Sequence, residues 1–346
     1  FFIIFFAPFL LGSALILGFS PFNITLINFF SFSLFLFLVF VVKKKTQSTF
    51  RKTKNKKYFF YQGCAFGFGF FLFGNYWIVI SLTHDQIYSA LIPLALILIP
   101  LFLSLFFGFA TLIIGPFAEK NIFFILFFSL IFSLFEFLRG NILTGFPWNL
   151  ISYTWSWSNE TIQILSLIGT YGLSLISITF FCIPFLFFQK KIKMQNIFFL
   201  TFFVIIFIGN YTYGVIKINN NSYKYDETLN IKIISPNFTL EDYANKSELS
   251  QLKRLIKISD PEKDKKTLFI WPEGIFYYSQ LENIKKYKDL FNNSFSENHL
   301  IILGINNSKK INDLDEKIFN SLVVLNSKLE IISLYNKIKL VPFGEF

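Results

Sequence analysis

The feature that most constrains this chain is a series of long stretches almost free of charge. A transmembrane helix needs about 20 mostly apolar residues, because in lipid a helix satisfies its own backbone. Seven stretches fit, at roughly 1–18, 24–42, 58–82, 87–116, 121–138, 161–188 and 194–213. The first is short. The only methionine is Met194, so the chain is expected to lack its true N-terminus, which makes the first stretch a poor signal peptide. Pro93 and Pro100 predict a kink in the fourth stretch, and Pro184 one in the sixth. Up to residue 213 the only acidic side chains are Asp85, Glu119, Glu136 and Glu160, whereas residues 214–346 carry the other 17. The chain therefore divides into a membrane part, 1–213, and a water-soluble part, 214–346.

Basic residues give the membrane part a direction. The chain carries a net charge of +11, of which +9 falls within residues 1–213. Loop 43–57 holds eight of the 13 Lys and Arg in that part, Lys120 a ninth, and Lys190, Lys191 and Lys193 three more. Seven spans put these three loops on one side and leave Arg139 alone opposite. The basic side is cytoplasmic by the positive-inside rule. The soluble part then lies outside the cytoplasm, in the periplasm of a Gram-negative cell. Orientation explains this basicity better than nucleic-acid binding does. Cys64 and Cys182 both lie in apolar stretches, and neither they nor His84 and His299 form a metal-ligand pattern.

The soluble part alternates strand and helix signals. Strands are expected at Leu229–Ser235, Thr267–Trp271, Leu300–Ile305, Ser321–Asn326 and Leu329–Tyr335. Helices are expected at Ser247–Ser259 and Leu281–Asn292. This is an α/β pattern with helices packed on a sheet.

Two short segments could carry chemistry. In Trp271-Pro272-Glu273-Gly274 a carboxylate follows the end of a buried strand, a common position for functional side chains in α/β sheets. Trp and Pro beside it would partly strip it of water, which suits a general base; from four residues alone a plain turn glutamate reads somewhat better. In Tyr335-Asn336-Lys337 through Pro342-Phe343-Gly344-Glu345, a lysine closes a strand and a carboxylate follows eight residues on. Such a lysine can stabilise an oxyanion, although taken alone two solvated loop charges explain it better. In the membrane part, Arg139 sits three residues after Glu136, spaced to pair on one helix face. It reads either as a contact for a lipid phosphate or as an interfacial anchor. Trp148, Tyr153, Trp155 and Trp157 crowd the following loop, where an aromatic belt is the simpler reading and substrate contact the other.

Taken together these segments are more specific. WPEG followed by YNK and LVPFGE resembles the nitrilase superfamily. Behind a multi-span membrane part it is similar to one branch, the apolipoprotein N-acyltransferases of bacterial inner membranes. Glu136-Phe137-Leu138-Arg139-Gly140 and Thr144-Gly145-Phe146-Pro147-Trp148-Asn149 resemble that family's ELRG and TGFPW segments. Gly18-Phe19-Ser20-Pro21-Phe22, Gly67-Phe68-Gly69 with Tyr76-Trp77, and Gly169-Thr170-Tyr171-Gly172-Leu173-Ser174 also fall where the family has short motifs.

The resemblance implies a multi-span α-helical membrane domain followed by part of a nitrilase-like αββα sandwich. It implies acyl transfer from a phospholipid to the N-terminal α-amino group of an S-diacylglyceryl-Cys apolipoprotein, through a thioacyl-enzyme. Glu273 would be the general base, Lys337 the oxyanion holder and Glu345 a supporting carboxylate. Arg139, Trp148 and Tyr243 would meet substrate, Tyr243 standing in for a tryptophan common in the family. No metal or organic cofactor and no nucleic acid is implied. The family's nucleophilic cysteine falls some fifty residues beyond the lysine, so this chain is expected to lack it and to be inactive alone. Buried apolar surroundings make Cys64 and Cys182 poor replacements. A membrane-anchored nitrilase-type amidohydrolase is the alternative, but it gives no reason for the membrane part. A transporter would require charges inside the spans, which are nearly free of them.

Overall fold

The computed structural model describes residues 1–47, 56–83, 86–143, 145–189, 192–220, 227–238, 242, 247–274, 276, 280–310 and 316–340. It divides into two compact units, Phe1–Ser222 and Tyr223–Phe346.

The first unit is helical. Its principal helices are α1 (Phe2–Gly18), α2 (Leu26–Gln47), α3 (Lys56–Asn75), α4 (Ile92–Ile114), α5 (Ile122–Asn141), α6 (Leu165–Cys182) and α7 (Met194–Asn220). Among the described residues six helices, α2 to α7 with their short continuations, are long and apolar enough to cross a membrane, and α1 is shorter. Their interior is largely aromatic. Phe35 stacks on Phe66 at 4.1 Å, and Phe107 meets Phe132 at 4.3 Å. Removing one such ring from a packed core costs about 3–5 kcal/mol. The approach of α3 to α4 depends on small residues: a Cβ on Gly63 would come within 2.3 Å of the Phe107 carbonyl oxygen. Gly63 and Gly67 form the GxxxG spacing that lets two membrane helices pack backbone to backbone.

Three helical details differ from expectation. Pro93 lies at the start of α4, where its missing N–H costs no hydrogen bond, so only Pro100 is interior. At Pro184 the chain passes from α6 into a 3-10 segment, Ile183–Phe187. The sharp break in α6 is instead at Gly169, whose φ of 69° is outside the helical region. Finally, α7 runs on to Asn220, because Gly214-Val215-Ile216 extend its apolar run past residue 213.

The second unit holds a five-stranded sheet in the order β1 (Asn230–Ile233), β2 (Thr267–Ile270), β3 (His299–Lys310), β4 (Glu316–Asn326), β5 (Ile331–Asn336). The first three strands are parallel, with Ile233 opposite Ile270 and Ile270 opposite Ile302. The last two pairings are antiparallel, with Asn306 opposite Asn320 and Ser321 opposite Asn336. Helix α8 (Glu248–Ser259) is capped by the Ser247 side chain and buries Leu252, Leu255 and Ile256. The predicted helix 281–292 is broken into a turn at Leu281–Ile284, a 3-10 turn and α9 (Lys288–Ser294), which lets both Ile284 and Phe291 reach the core. His299 is fully buried; its Nδ1 accepts from the Ser296 N–H and its Nε2 lies 2.9 Å from the Glu262 carbonyl.

One face of the sheet contributes Phe269, Ile301, Leu303, Val323 and Leu325 to the core with α8 and α9. The opposite face leaves Ile231, Ile233, Leu300 and Leu322 exposed. A sheet with helices on one face and an apolar second face is half of an αββα sandwich. The architecture is a multi-pass membrane domain followed by part of a nitrilase-like domain.

Candidate active site

The parallel strands β1 to β3 end at one edge of the sheet, and β5, twice reversed, ends there too. Glu273 arrives at that edge three residues after the end of β2. Trp271 anchors the approach: its N–H donates to the Ile302 carbonyl at 2.8 Å, and its Nε1 donates to Ser259 Oγ at 2.9 Å. The indole is buried against Phe291 and Phe295. Lys337 arrives one residue after β5, its N–H donating to the Asn320 carbonyl at 2.8 Å.

These two segments, 64 positions apart in sequence, put opposite charges together. Lys337 Nζ lies 3.6 Å from Glu273 Oε1. Asn320 Nδ2 donates to the same oxygen at 2.5 Å. Glu273 is therefore held by a cation and a neutral donor. Its side chain is 63% exposed and that of Lys337 33%. The expected desolvation of Glu273 is not met: Trp271 is turned into the core, so it does not shield the carboxylate.

Two neighbours of Glu273 escaped the sequence reading. Asn320 carries no sequence signal; only the β3–β4–β5 register brings it beside Lys337. Gly304 carries one. A glycine inside a strand marks a close backbone approach, and a Cβ there would lie 2.9 Å from Glu273 Cα and 3.2 Å from its Cβ and Cγ. Glu345 and Tyr243 lie outside the described residues.

The first unit has its own polar cluster at the end of α5. Glu136 and Arg139 are both buried. No Glu136–Arg139 ion pair closes within 4.0 Å among the described residues, contrary to the spacing. Glu136 Oε1 instead accepts from the Ile151 N–H at 3.1 Å. Arg139 Nη1 donates to the Phe146 and Trp148 carbonyls, both at 2.7 Å, and the guanidinium lies 5.0 Å from the Phe71 ring centre. The competition is won by loop backbone that would otherwise be unsatisfied. Arg139 thus ties down the loop that carries Trp148, whose exposed ring meets Trp77 at 4.5 Å. Trp155, grouped with the interfacial aromatics, is buried, its Nε1 donating to Ser177 Oγ at 2.8 Å.

Comparison with known proteins supplies the class. The apolipoprotein N-acyltransferase N-terminal domain family matches residues 11–183, half of the chain. The apolipoprotein N-acyltransferase of Rickettsia prowazekii is 32% identical over 291 residues, covering 82% of this chain and 57% of the relative. That of Brucella melitensis is 27% identical over 349 aligned positions, covering 98% of this chain and 64% of the relative. The chain spans about three-fifths of the length of these relatives. With the family match across the helical unit and these relatives reaching into the sheet, the chain belongs to the apolipoprotein N-acyltransferase family.

Proposed function

We propose that the whole protein transfers an acyl chain from a bilayer phospholipid to the N-terminal α-amino group of an S-diacylglyceryl-Cys apolipoprotein. The observation that carries this reading is the Glu273–Lys337 pair at one strand edge, with Asn320 on the same carboxylate oxygen, in a chain of this family. Glu273 takes the proton of a cysteine thiol, and the sulfur attacks the ester carbonyl of the phospholipid. Lys337 stabilises the oxyanion. The lysophospholipid alkoxide leaves with a proton, and a thioester remains on the enzyme. The acceptor amine then attacks the thioester, which forms the amide and returns the thiol. Glu345 supports the lysine or the thiol. Trp148 and Tyr243 contact substrate, and Arg139 acts through the loop it holds.

The thiol belongs to the part of the family's length that this chain does not span. Cys182 is fully buried and Cys64 half-buried, both in the helical unit. The 346-residue chain alone is therefore inactive in this reading. In this reading the protein sits in a bacterial inner membrane with the second unit on the periplasmic side, an orientation that the basic loops support.

The test uses the full-length enzyme and a labelled phospholipid. Glu273→Gln should abolish the thioacyl-enzyme adduct while membrane insertion stays intact. Normal adduct formation by that variant would refute the assignment, and N-acylation of a diacylglyceryl lipopeptide by the 346-residue chain would refute its inactivity alone.

A further inference from the structure

Helix α7 is held more loosely than the other spans. Only 11% of its most apolar window is buried, against 33–56% for the other five. Between it and α6 runs a groove of about 360 Å³, lined by Leu173, Phe180, Phe203, Ile206 and Phe207 among others. Almost every lining atom is apolar. Adjoining it, a second groove of about 710 Å³ shares Trp155, Phe180 and Phe207 with the first.

The first groove has a direction. From Phe203 to Tyr213 it follows α7 for roughly 15 Å at 1.5 Å per residue, about half the 30 Å hydrocarbon core, which is the depth of one leaflet. At the Tyr213 end it meets a cation. Lys217 Nζ lies 5.7 Å from the Tyr213 ring centre and donates to Ser166 Oγ. It also lies 3.5 Å from the Gln163 carbonyl. An ammonium has three protons to donate, so the lysine can keep these contacts and meet a phosphate. Nearer its middle Asn210 lines the groove; its Nδ2 donates to the Thr161 carbonyl at 2.9 Å, and its Oδ1 is buried without a hydrogen-bond partner. Midway, Gly209 opens the wall, because a Cβ there would meet nothing within 4 Å.

We propose that this groove holds one acyl chain of a bilayer glycerophospholipid, with Lys217 against its phosphate. The groove's lining contains no carboxylate, thiol or lysine, so the lipid is retained intact and is not consumed there. The argument rests on the chain crossing a bilayer and is independent of the acyl-transfer reading.

The test is native mass spectrometry of the whole chain, extracted in mild detergent from its own membrane. The wild type and Gly209→Ala, which leaves the groove open, should each retain one phospholipid. Gly209→Leu fills the groove with a better helix former than glycine and should lose most of it. Lys217→Gln should weaken retention by about fivefold, the worth of one lysine at a lipid headgroup. Retention by Gly209→Leu equal to wild type, or a fatty acid or detergent in place of phospholipid, would overturn the proposal. A second measurement guards against misfolded variants: wild-type protein in vesicles containing a phospholipid with a photoreactive acyl chain. Cross-links should concentrate on peptides containing Phe180, Phe203 and Phe207. An even spread over all spans would also overturn it.

Discussion

The two units each place a glutamate near a cation, in opposite surroundings. In the helical unit Glu136 and Arg139 are buried, and their hydrogen bonds go to backbone: the Ile151 N–H and the Phe146 and Trp148 carbonyls. In the sheet unit Glu273 and Lys337 face each other at 3.6 Å and remain open to solvent. A buried charge committed to backbone contributes structure, and removing its partner is expensive. An exposed pair contributes little to stability and lies within reach of a reacting group. Pairing of residue types therefore does not separate a structural pair from a candidate catalytic one; what each side chain is bonded to does.

The largest effect should come from the exposed pair, and on chemistry alone. In the full-length enzyme Lys337→Met should lower kcat for acyl transfer by about 10²–10³-fold, as expected for loss of an oxyanion-stabilising group. Its thermal unfolding midpoint should match wild type. A variant that unfolds while retaining activity would invert the comparison.

Arg139→Ala should do the reverse. It leaves two loop carbonyls and the buried Glu136 without their donor and neighbouring charge. The cost is about 3–5 kcal/mol, read as a lowered unfolding midpoint in detergent. Any activity loss should follow the loss of folded protein. A stable Arg139→Ala protein that no longer binds phospholipid would return the arginine to a direct substrate contact.

The comparison also shows what was legible in the sequence. The spans could be read because lipid requires long apolar runs, and Lys337 and Glu273 because each follows a strand end. The first shared motif, Glu136 to Arg139, was visible, but its bonding was not. Helical spacing of three brings two side chains to one face and says nothing of the loop carbonyls at 146 and 148 that compete for the guanidinium. Likewise the sharp break in α6 fell at Gly169 and not at Pro184, because backbone conformation decided it. In the sheet, Gly304 could have been suspected as an interior strand glycine. Asn320 could not, since its place depends on two antiparallel registers that no local pattern encodes.

That residue offers a finer test. Asn320 donates to the oxygen of Glu273 that also faces Lys337. Asn320→Ala in the full-length enzyme should lower kcat by roughly tenfold to a hundredfold, the range for one hydrogen bond to a charged group. KM for phospholipid should hold, because Asn320 positions Glu273, the base of the proposed mechanism. A rise in KM with kcat unchanged would make it a substrate contact.

The smallest effect should come from a third glutamate–cation pair, fully on the surface. Lys265 Nζ lies 2.6 Å from Glu262 Oε2, closer than the pair at the candidate active site. The lysine's hydrogen bond and charge hold the Glu262 carboxyl below its ordinary value of 4.5, and the glutamate in turn raises Lys265 above 10.5. The carboxylate's contribution is therefore complete above pH 4.5 and fades as pH falls through the lowered value. The lysine's is complete below pH 10.5 and fades as pH rises through the raised one. Between those limits the pair is fully formed, yet water screens both charges. Glu262→Gln should leave the unfolding midpoint at pH 7 within experimental scatter. A clear drop at pH 7 that disappears in acid would show that distance outweighs burial, and would break the ordering of the three pairs.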